Sequence, residues 1–361
     1  MLIDIALDAV GTDKAPEAEI RGAMLACKEL PVRVHLIGPE AELHDLLDEY
    51  LENEDLPIVI HHASERIGME EKAVHAVRTK KDSSIRVGLK LVHEGKAAGF
   101  VTAGNTGAAM ATAKMVLGAL PGVDRPALAT PMPSSTGNPC ILLDVGANVD
   151  CKAHNLAQFA VMGEIYARSV LKIESPRVGL LSIGEEESKG NDLTREAFPL
   201  LKALPIRFIG NVEGRDIFSG LADVIVCDGF VGNVALKTSE GVGRFVRDVL
   251  RESLKSTVTA QVGALLSRRA FNDFRRRLDY REYGGAPLLG VRGVCIIGHG
   301  SSNDRAIFNG IRVAYESAKA GTIQRIEAEF AIPGRASHAV NPEGSQSATA
   351  DHAASPGATI Q

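Results

Sequence analysis

The chain has 361 residues, of which 45% are hydrophobic, and a formal charge of -5. That length buries a sizeable core and excludes a small stapled scaffold, and the apolar content excludes a disordered chain. The weak negative charge leaves no footprint for nucleic acid, and no apolar stretch approaches the ~20 residues that span a bilayer.

In chain order, short apolar runs bounded by Gly, Pro or Asp predict strands at 2–7, 32–37, 58–60, 99–102, 141–143, 178–183, 206–209, 224–227 and 294–297. Helical spacing predicts helices over 15–30, 84–93, 155–171, 192–204 and 304–320. Strand alternating with helix means a three-layer α/β/α unit on a mostly parallel sheet, taken as one catalytic unit over 1–330. The start, MLIDIALDAV, lacks the basic region of a secretion signal, and the five cysteines show no C-x-x-C pair. Both point to reduced thiols in a cytoplasmic protein.

The pattern centres on 223–243, DVIVCDGFVGNVALKTSEGVG, read as a buried strand, a tight loop at 228–233 and a helix from Val234. Gly229 and Gly232 would let a backbone approach a ligand, and Asn233 adds a neutral donor and acceptor. The alternative is an ordinary turn whose glycines serve only the turn. Repetition favours a site: Asp8–Asp13, Ala103–Ala108, Asp144–Asn148 and Gly298–Asn303 also follow apolar runs, and such turns are expected to converge on one rim of one sheet.

After Gly241 the alternation gives way to an αα-hairpin at about 241–280, apolar along Phe245, Val246, Val249, Val258, Val262, Leu265 and Leu266, and basic at Arg268 and Arg269. It either packs on its own domain or forms a surface for a dimer partner, an acidic partner or an anionic membrane. Residues 331–361 read as a disordered tail; His338 and His352 within it have no partner at ligand spacing, so no metal is expected.

Two further stretches carry charge. In 179–192, GLLSIGEEESKGND, three adjacent glutamates read as a solvated loop, while Lys189 beside Gly190 suits a phosphate as a mobile point charge. The cluster Arg78-Thr79-Lys80-Lys81 is a second basic candidate, or solvated surface.

Together IALDAVGTD, KKDSSI, AGNTGA, RPALAT, LDVGANVD, GLLSIGEEESKG, GNVEGRDI, VCDGFVGNVALKTSEG, YGGAPLLGVRG and IIGHGSSN resemble the motifs of the bacterial phosphate acyltransferases, in order from about Ile3 to Ala318. Val10 and Thr12 depart from the usual Met and Gly of the first motif, and Ala73 from a common proline. The resemblance implies a fold similar to isopropylmalate dehydrogenases and phosphotransacetylases. It further implies transfer of a long acyl chain from acyl carrier protein to inorganic phosphate for phospholipid synthesis, with no cofactor. A homodimer, peripheral contact with the inner face of the cytoplasmic membrane through the hairpin, and a downstream glycerol-phosphate acyltransferase complete that picture.

Phosphate is already a nucleophile and a thiol, with a pKa of ~8.5, a fair leaving group, so position and charge control are what the reaction needs. Lys189 and Asn233 are assigned to phosphate and the developing oxyanion. His299 either protonates the departing sulfur or ties down its loop. Gly11, Gly104, Asn105, Thr106, Gly107, Gly229, Gly232, Gly300 and Ser301 are assigned to phosphate or substrate, and Asp8 and Asp228 to orienting groups there or to capping turns. A dinucleotide dehydrogenase is disfavoured because Asn303 replaces the third glycine of G-x-G-x-x-G and no acidic strand end follows. A coenzyme A phosphotransacetylase and a non-enzymatic membrane-surface scaffold are the other rivals.

Overall fold

A computed structural model of the protein describes residues 1–51, 54–271 and 284–332. Residues 333–361 of the tail expected at 331–361, and the end of the hairpin at 272–280, lie outside the described residues.

Among the described residues eleven strands form one sheet: β1 (Ile3–Asp8), β2 (Val32–Gly38), β3 (Ile58–His62), β4 (Gly99–Thr102), β5 (Ala127–Met132), β6 (Cys140–Leu143), β7 (Arg177–Leu181), β8 (Arg207–Val212), β9 (Val224–Val226), β10 (Ala286–Leu289) and β11 (Val294–Ile297). Their order is β3-β2-β1-β4-β11-β10-β5-β6-β9-β7-β8. The first five pair in parallel, as do the last four. Between them β11, β10, β5 and β6 pair antiparallel in succession. Three reversals leave the two parallel halves running in opposite directions.

This corrects one expectation. The glycine turns do not share one rim, because carboxyl ends of opposed halves lie at opposite edges of the sheet. The reversals arise at β5 and β10, ALATPM and APLL, which carry Pro131 and Pro287 and were not read as strands. Proline lacks the N–H of a ladder and argues against a central strand, yet Pro131 faces Ile141 and Pro287 faces Ile296 in register.

Helices cover both faces. α1 (Glu17–Glu29) and the helix Asp304–Lys319 pack together over the first half, with Ile20, Ile307 and Ile311 in one core cluster with Leu7 and Leu36. α2 (Glu40–Leu51) lies beside β2 and β3, while α3 (Ala73–Thr79), α4 (Ser84–His93) and α5 (Thr106–Val116) pack among themselves on the opposite cluster. Over the second half, α6 (Ala153–Ser169) buries most of its 17 residues, including Leu156, Phe159 and Ile165, against β6, β9 and α7 (Asp192–Ala203). Each such side chain contributes roughly 1.5–3 kcal/mol of transfer free energy. The buried Gln158 of α6 is satisfied at both ends, by the Asp124 N–H and the Gly122 carbonyl at 2.9 Å each.

α8 (Gly229–Lys255) is one continuous helix of 27 residues, so the predicted loop at 228–233 is its N-cap and first turn, and the hairpin's first arm is its continuation through Gly241. Only Gly229 and Gly232 are buried along it. α9 (Val258–Leu266) follows, capped by Thr257, and has no buried residue. Among the described residues no helix is long and apolar enough to cross a membrane.

All five cysteines are unpaired, and Cys140, Cys227 and Cys295 are buried. Burial pushes the Cys140 and Cys295 thiols up to about 12, so they stay neutral and unreactive at physiological pH.

Candidate functional site

A cleft of about 470 Å³ opens where the halves meet. Leu128, Thr130 and Pro131 of β5 and Ala286 of β10 line it between the two sets of turns. The first half supplies Asp13, Gly104, Thr106, Gly298, His299 and Gly300; the second supplies Gly146, Asn233, Leu236, Lys237 and Glu240. Opposed carboxyl ends therefore do serve one site, by facing each other across the junction strands.

Behind the first-half loops stands buried Asp8. It accepts from the Thr102 hydroxyl at 2.7 Å and the Val10 N–H at 3.2 Å, which ties the ends of β1 and β4 together. Burial raises its pKa, and these hydrogen bonds offset part of the rise. A Cβ on Gly11 would lie 2.8 Å from the Gly104 nitrogen, so the two turns nest because both are glycine. Thr12 fits this turn with both its N–H and its hydroxyl bound to Glu19, at 2.7 and 3.0 Å. The Asp13 N–H then donates to the Gly300 carbonyl at 2.8 Å and joins this loop to the histidine loop.

Asn105 caps α5, accepting from the Ala108 N–H at 3.0 Å, and its amide donates to the carbonyls of Gly68, Met69 and Glu71 at 3.1 Å each. Its side chain is thus committed to the protein. Thr106 stands at the start of α5 and lines the cleft, so the positive end of this helix is presented there, beside Gly107. In the histidine loop, His299 is exposed, and its Nδ1 accepts from the Ser301 N–H at 3.1 Å and lies 2.9 Å from the Ser301 hydroxyl. An accepting Nδ1 assigns the neutral ring's proton to Nε2.

The second half is built differently. Buried Asp144 accepts from the N–H groups of Leu128, Gly146, Ala147 and Asn148 and from the Asn148 side chain, at 2.7 to 3.2 Å. Burial raises its pKa, offset in part by those donors. Asp228 caps α8, its Oδ1 taking the N–H groups of Phe230 and Val231 at 3.0 and 2.9 Å, while the Gly229 N–H donates to the Asn148 carbonyl at 2.8 Å. A Cβ on Gly232 would fall 1.9 Å from the Asp144 carbonyl oxygen, and one on Gly229 2.6 Å from that of Asn148. These glycines dock α8 against the turn after β6, and the amides there are already partnered. An anion would have to displace Asp228 to use them.

A family model described as a fatty acid synthesis protein matches residues 3–325. The phosphate acyltransferase of Acidobacterium capsulatum is 75% identical over 333 residues, covering 92% of this chain and 98% of that protein. The chain belongs to the fatty acid synthesis protein family. A further relative, the phosphate acyltransferase of Koribacter versatilis, is 61% identical over 336 residues, 92% of this chain and 94% of that one. In fold, the chain is similar to a phosphotransacetylase from Streptococcus pyogenes, at a TM-score of 0.59 and 18% identity over 90% of this chain and 94% of that one.

In this member of the fatty acid synthesis protein family, Gly104, Thr106, Asn233, His299 and Gly300 come together on the cleft wall. Asp8, Gly11, Asn105, Asp228, Gly229, Gly232 and Ser301 hold the wall from behind or beside it through the contacts above. Lys189 is not among the lining residues: it is exposed on the loop after β7, its ammonium 4.0 Å from Glu186. The three glutamates diverge, Glu185 to Arg215 at 3.2 Å and Glu187 to Lys202 at 2.9 Å. Lys80 of the other basic cluster is paired with Glu71 at 2.5 Å.

Sequence reasoning missed Leu236, Lys237 and Glu240. Their signal was present, since they follow Asn233 at intervals of three, four and seven residues, one face of a helix. Reading 228–233 as a loop concealed that the face begins at Asn233.

Proposed function

We infer that this cleft transfers a long-chain acyl group from the thioester of acyl carrier protein to inorganic phosphate. The observation that carries the reading is 75% identity, over nearly the whole length of both chains, to a protein named phosphate acyltransferase. The geometry is compatible with that chemistry. Phosphate enters beside the positive end of α5, and one of its oxygens attacks the thioester carbonyl carbon. A C–O bond forms, negative charge gathers on the carbonyl oxygen, and collapse of the tetrahedral species breaks the C–S bond to leave acyl phosphate and the carrier's thiol.

Asn233, exposed on the cleft wall, is assigned as the donor to the developing oxyanion. A preorganised donor of this kind is worth about 10²–10³ in rate. His299 is assigned to the departing sulfur: in the imidazolium, Nδ1–H turns to the Ser301 hydroxyl at 2.9 Å, and Nε2–H is the proton given up. The part assigned to Lys189 requires its side chain to leave Glu186 and reach the cleft. A Lys189→Ala variant with full turnover removes it from the mechanism.

The same reading makes the protein a homodimer in the cytoplasm, resting on the membrane's inner face and passing its product to a glycerol-phosphate acyltransferase. What supports a surface contact is the outer side of α8 and α9, where Phe245, Val258, Val262, Leu265 and Leu266 are exposed and Arg268 and Arg269 follow.

A hydroxylamine trap tests the reaction with long-chain acyl carrier protein and phosphate, against controls without phosphate or with acyl-coenzyme A as donor. Phosphate-dependent hydroxamate from the carrier supports it. Equal or greater yield from coenzyme A makes the protein a phosphotransacetylase, and no hydroxamate from either donor leaves the scaffold.

A further inference from the structure

Among the described lining residues of the cleft, Lys237 is the one permanent cation. It stands four residues beyond Asn233 on α8, so the helical repeat places both on the same face. Its ammonium lies 2.9 Å from Glu240 Oε2, with the lysine side chain 56% exposed and that of Glu240 15% exposed. The covered carboxylate anchors the ammonium, and the ammonium keeps access to the open cleft. The remaining fixed charges on the wall, Asp13 and Glu240, are negative. A dianion is repelled by both; among the described lining residues the end of α5 and this lysine are the standing attractions. Lysine suits that task, because a compact charge on a four-carbon stem can follow a phosphoryl group as it moves.

We propose that Lys237 takes the oxygens of a phosphate group in the cleft, with Glu240 as its resting counter-ion, released when the phosphate arrives. This rests on the acyl-transfer reading for the source of the phosphate and for what happens after it is bound. The group itself comes from one of two sources, inorganic phosphate or the phosphodiester of the carrier's pantetheine arm, and the structure favours the former. Lys237 shares the wall with Thr106 at the start of α5 and with Asn233, where the attacking oxygen and the oxyanion are assigned.

The test is a 31P NMR titration of inorganic phosphate into the full-length protein and its Lys237→Met, Lys237→Arg and Glu240→Gln variants, with phosphate and acyl-carrier KM values from the hydroxamate assay alongside. Loss of a hydrogen bond between charged groups predicts phosphate affinity weakened about 10- to 100-fold in Lys237→Met. Lys237→Arg retains most of the affinity, and Glu240→Gln tightens binding by freeing the ammonium. Wild-type affinity in Lys237→Met, or no phosphate binding to the wild-type protein, overturns the proposal. So does a rise in the KM for acyl carrier protein with the phosphate KM unchanged, which assigns the lysine to the pantetheine arm. Phosphate binding that depends on Lys237 in a protein that forms no hydroxamate leaves this proposal standing and removes the acyl-transfer reading.

Discussion

The starts of α5 and α8 look alike in the sequence: each follows a short buried strand, a polar residue and glycines. In the structure they do opposite things. At α8, Asp228 holds the Phe230 and Val231 amides, Asn148 holds that of Gly229, and Gly232 presses on the Asp144 carbonyl. At α5, Asn105 caps from behind and spends its amide on the 68–71 loop, which leaves Thr106 on the cleft. A helix N-terminus is an anion site only where the protein has not already supplied the anion. Here the carboxylate of Asp228 is that anion for α8, and the open end belongs to α5.

Substitutions sharpen the contrast. Gly232→Ala forces a Cβ to 1.9 Å from a backbone oxygen; it is expected to cost about 4 kcal/mol or more, or to abolish soluble protein. Its counterpart Gly107→Ala comes tightly against the Ala73 Cβ at 3.0 Å, with Asn105 Oδ1 at an ordinary 3.5 Å, and is expected to cost about 1 kcal/mol in denaturant unfolding. Asn105→Ala removes a cap and three carbonyl contacts together, an expected loss of about 2–4 kcal/mol. Asp228→Ala removes only the α8 cap, an expected loss of about 1 kcal/mol. A loss as large as that of Asn105→Ala would contradict the reading of α8 as docked mainly by its glycines.

Buried Glu19, which holds the Thr12 turn, gives a pH signature. Burial pushes Glu19 from 4.5 up to about 7. The native state therefore holds this proton more tightly than the unfolded chain does. Its contribution to stability is complete below about pH 4.5 and is lost as pH rises through about 7, by at most about 3 kcal/mol. Glu19→Gln is expected to flatten that part of the stability profile in unfolding measured from pH 4.5 to 8. An unchanged slope would show that another group carries it.

Much of the fold was legible because its parallel strands are short and apolar and alternate with helices of regular period. The two strands that reverse the sheet were not, since ALATPM and APLL carry prolines and few β-branched residues and are held by neighbours on both sides. Missing them gave a single rim where the structure has a cleft between opposed halves. Asn233 and His299 were legible as polar residues in glycine turns. Lys237 was not, because its role depends on α8 beginning at Gly229 and on a wall supplied by the other half of the chain. Whether Gly229 and Gly232 meet a ligand or a carbonyl is decided by Asp144–Asn148, far away in sequence, and no local pattern carries that information.

The most direct test compares phosphate-dependent hydroxamate formation by the wild-type protein and by Asn233→Ala, with the unfolding midpoint of each measured in parallel. Asn233 is exposed and caps nothing, so equal midpoints with turnover down about 10²–10³ are predicted. Full turnover by a folded Asn233→Ala protein would contradict the assignment of this cleft as the place of acyl transfer.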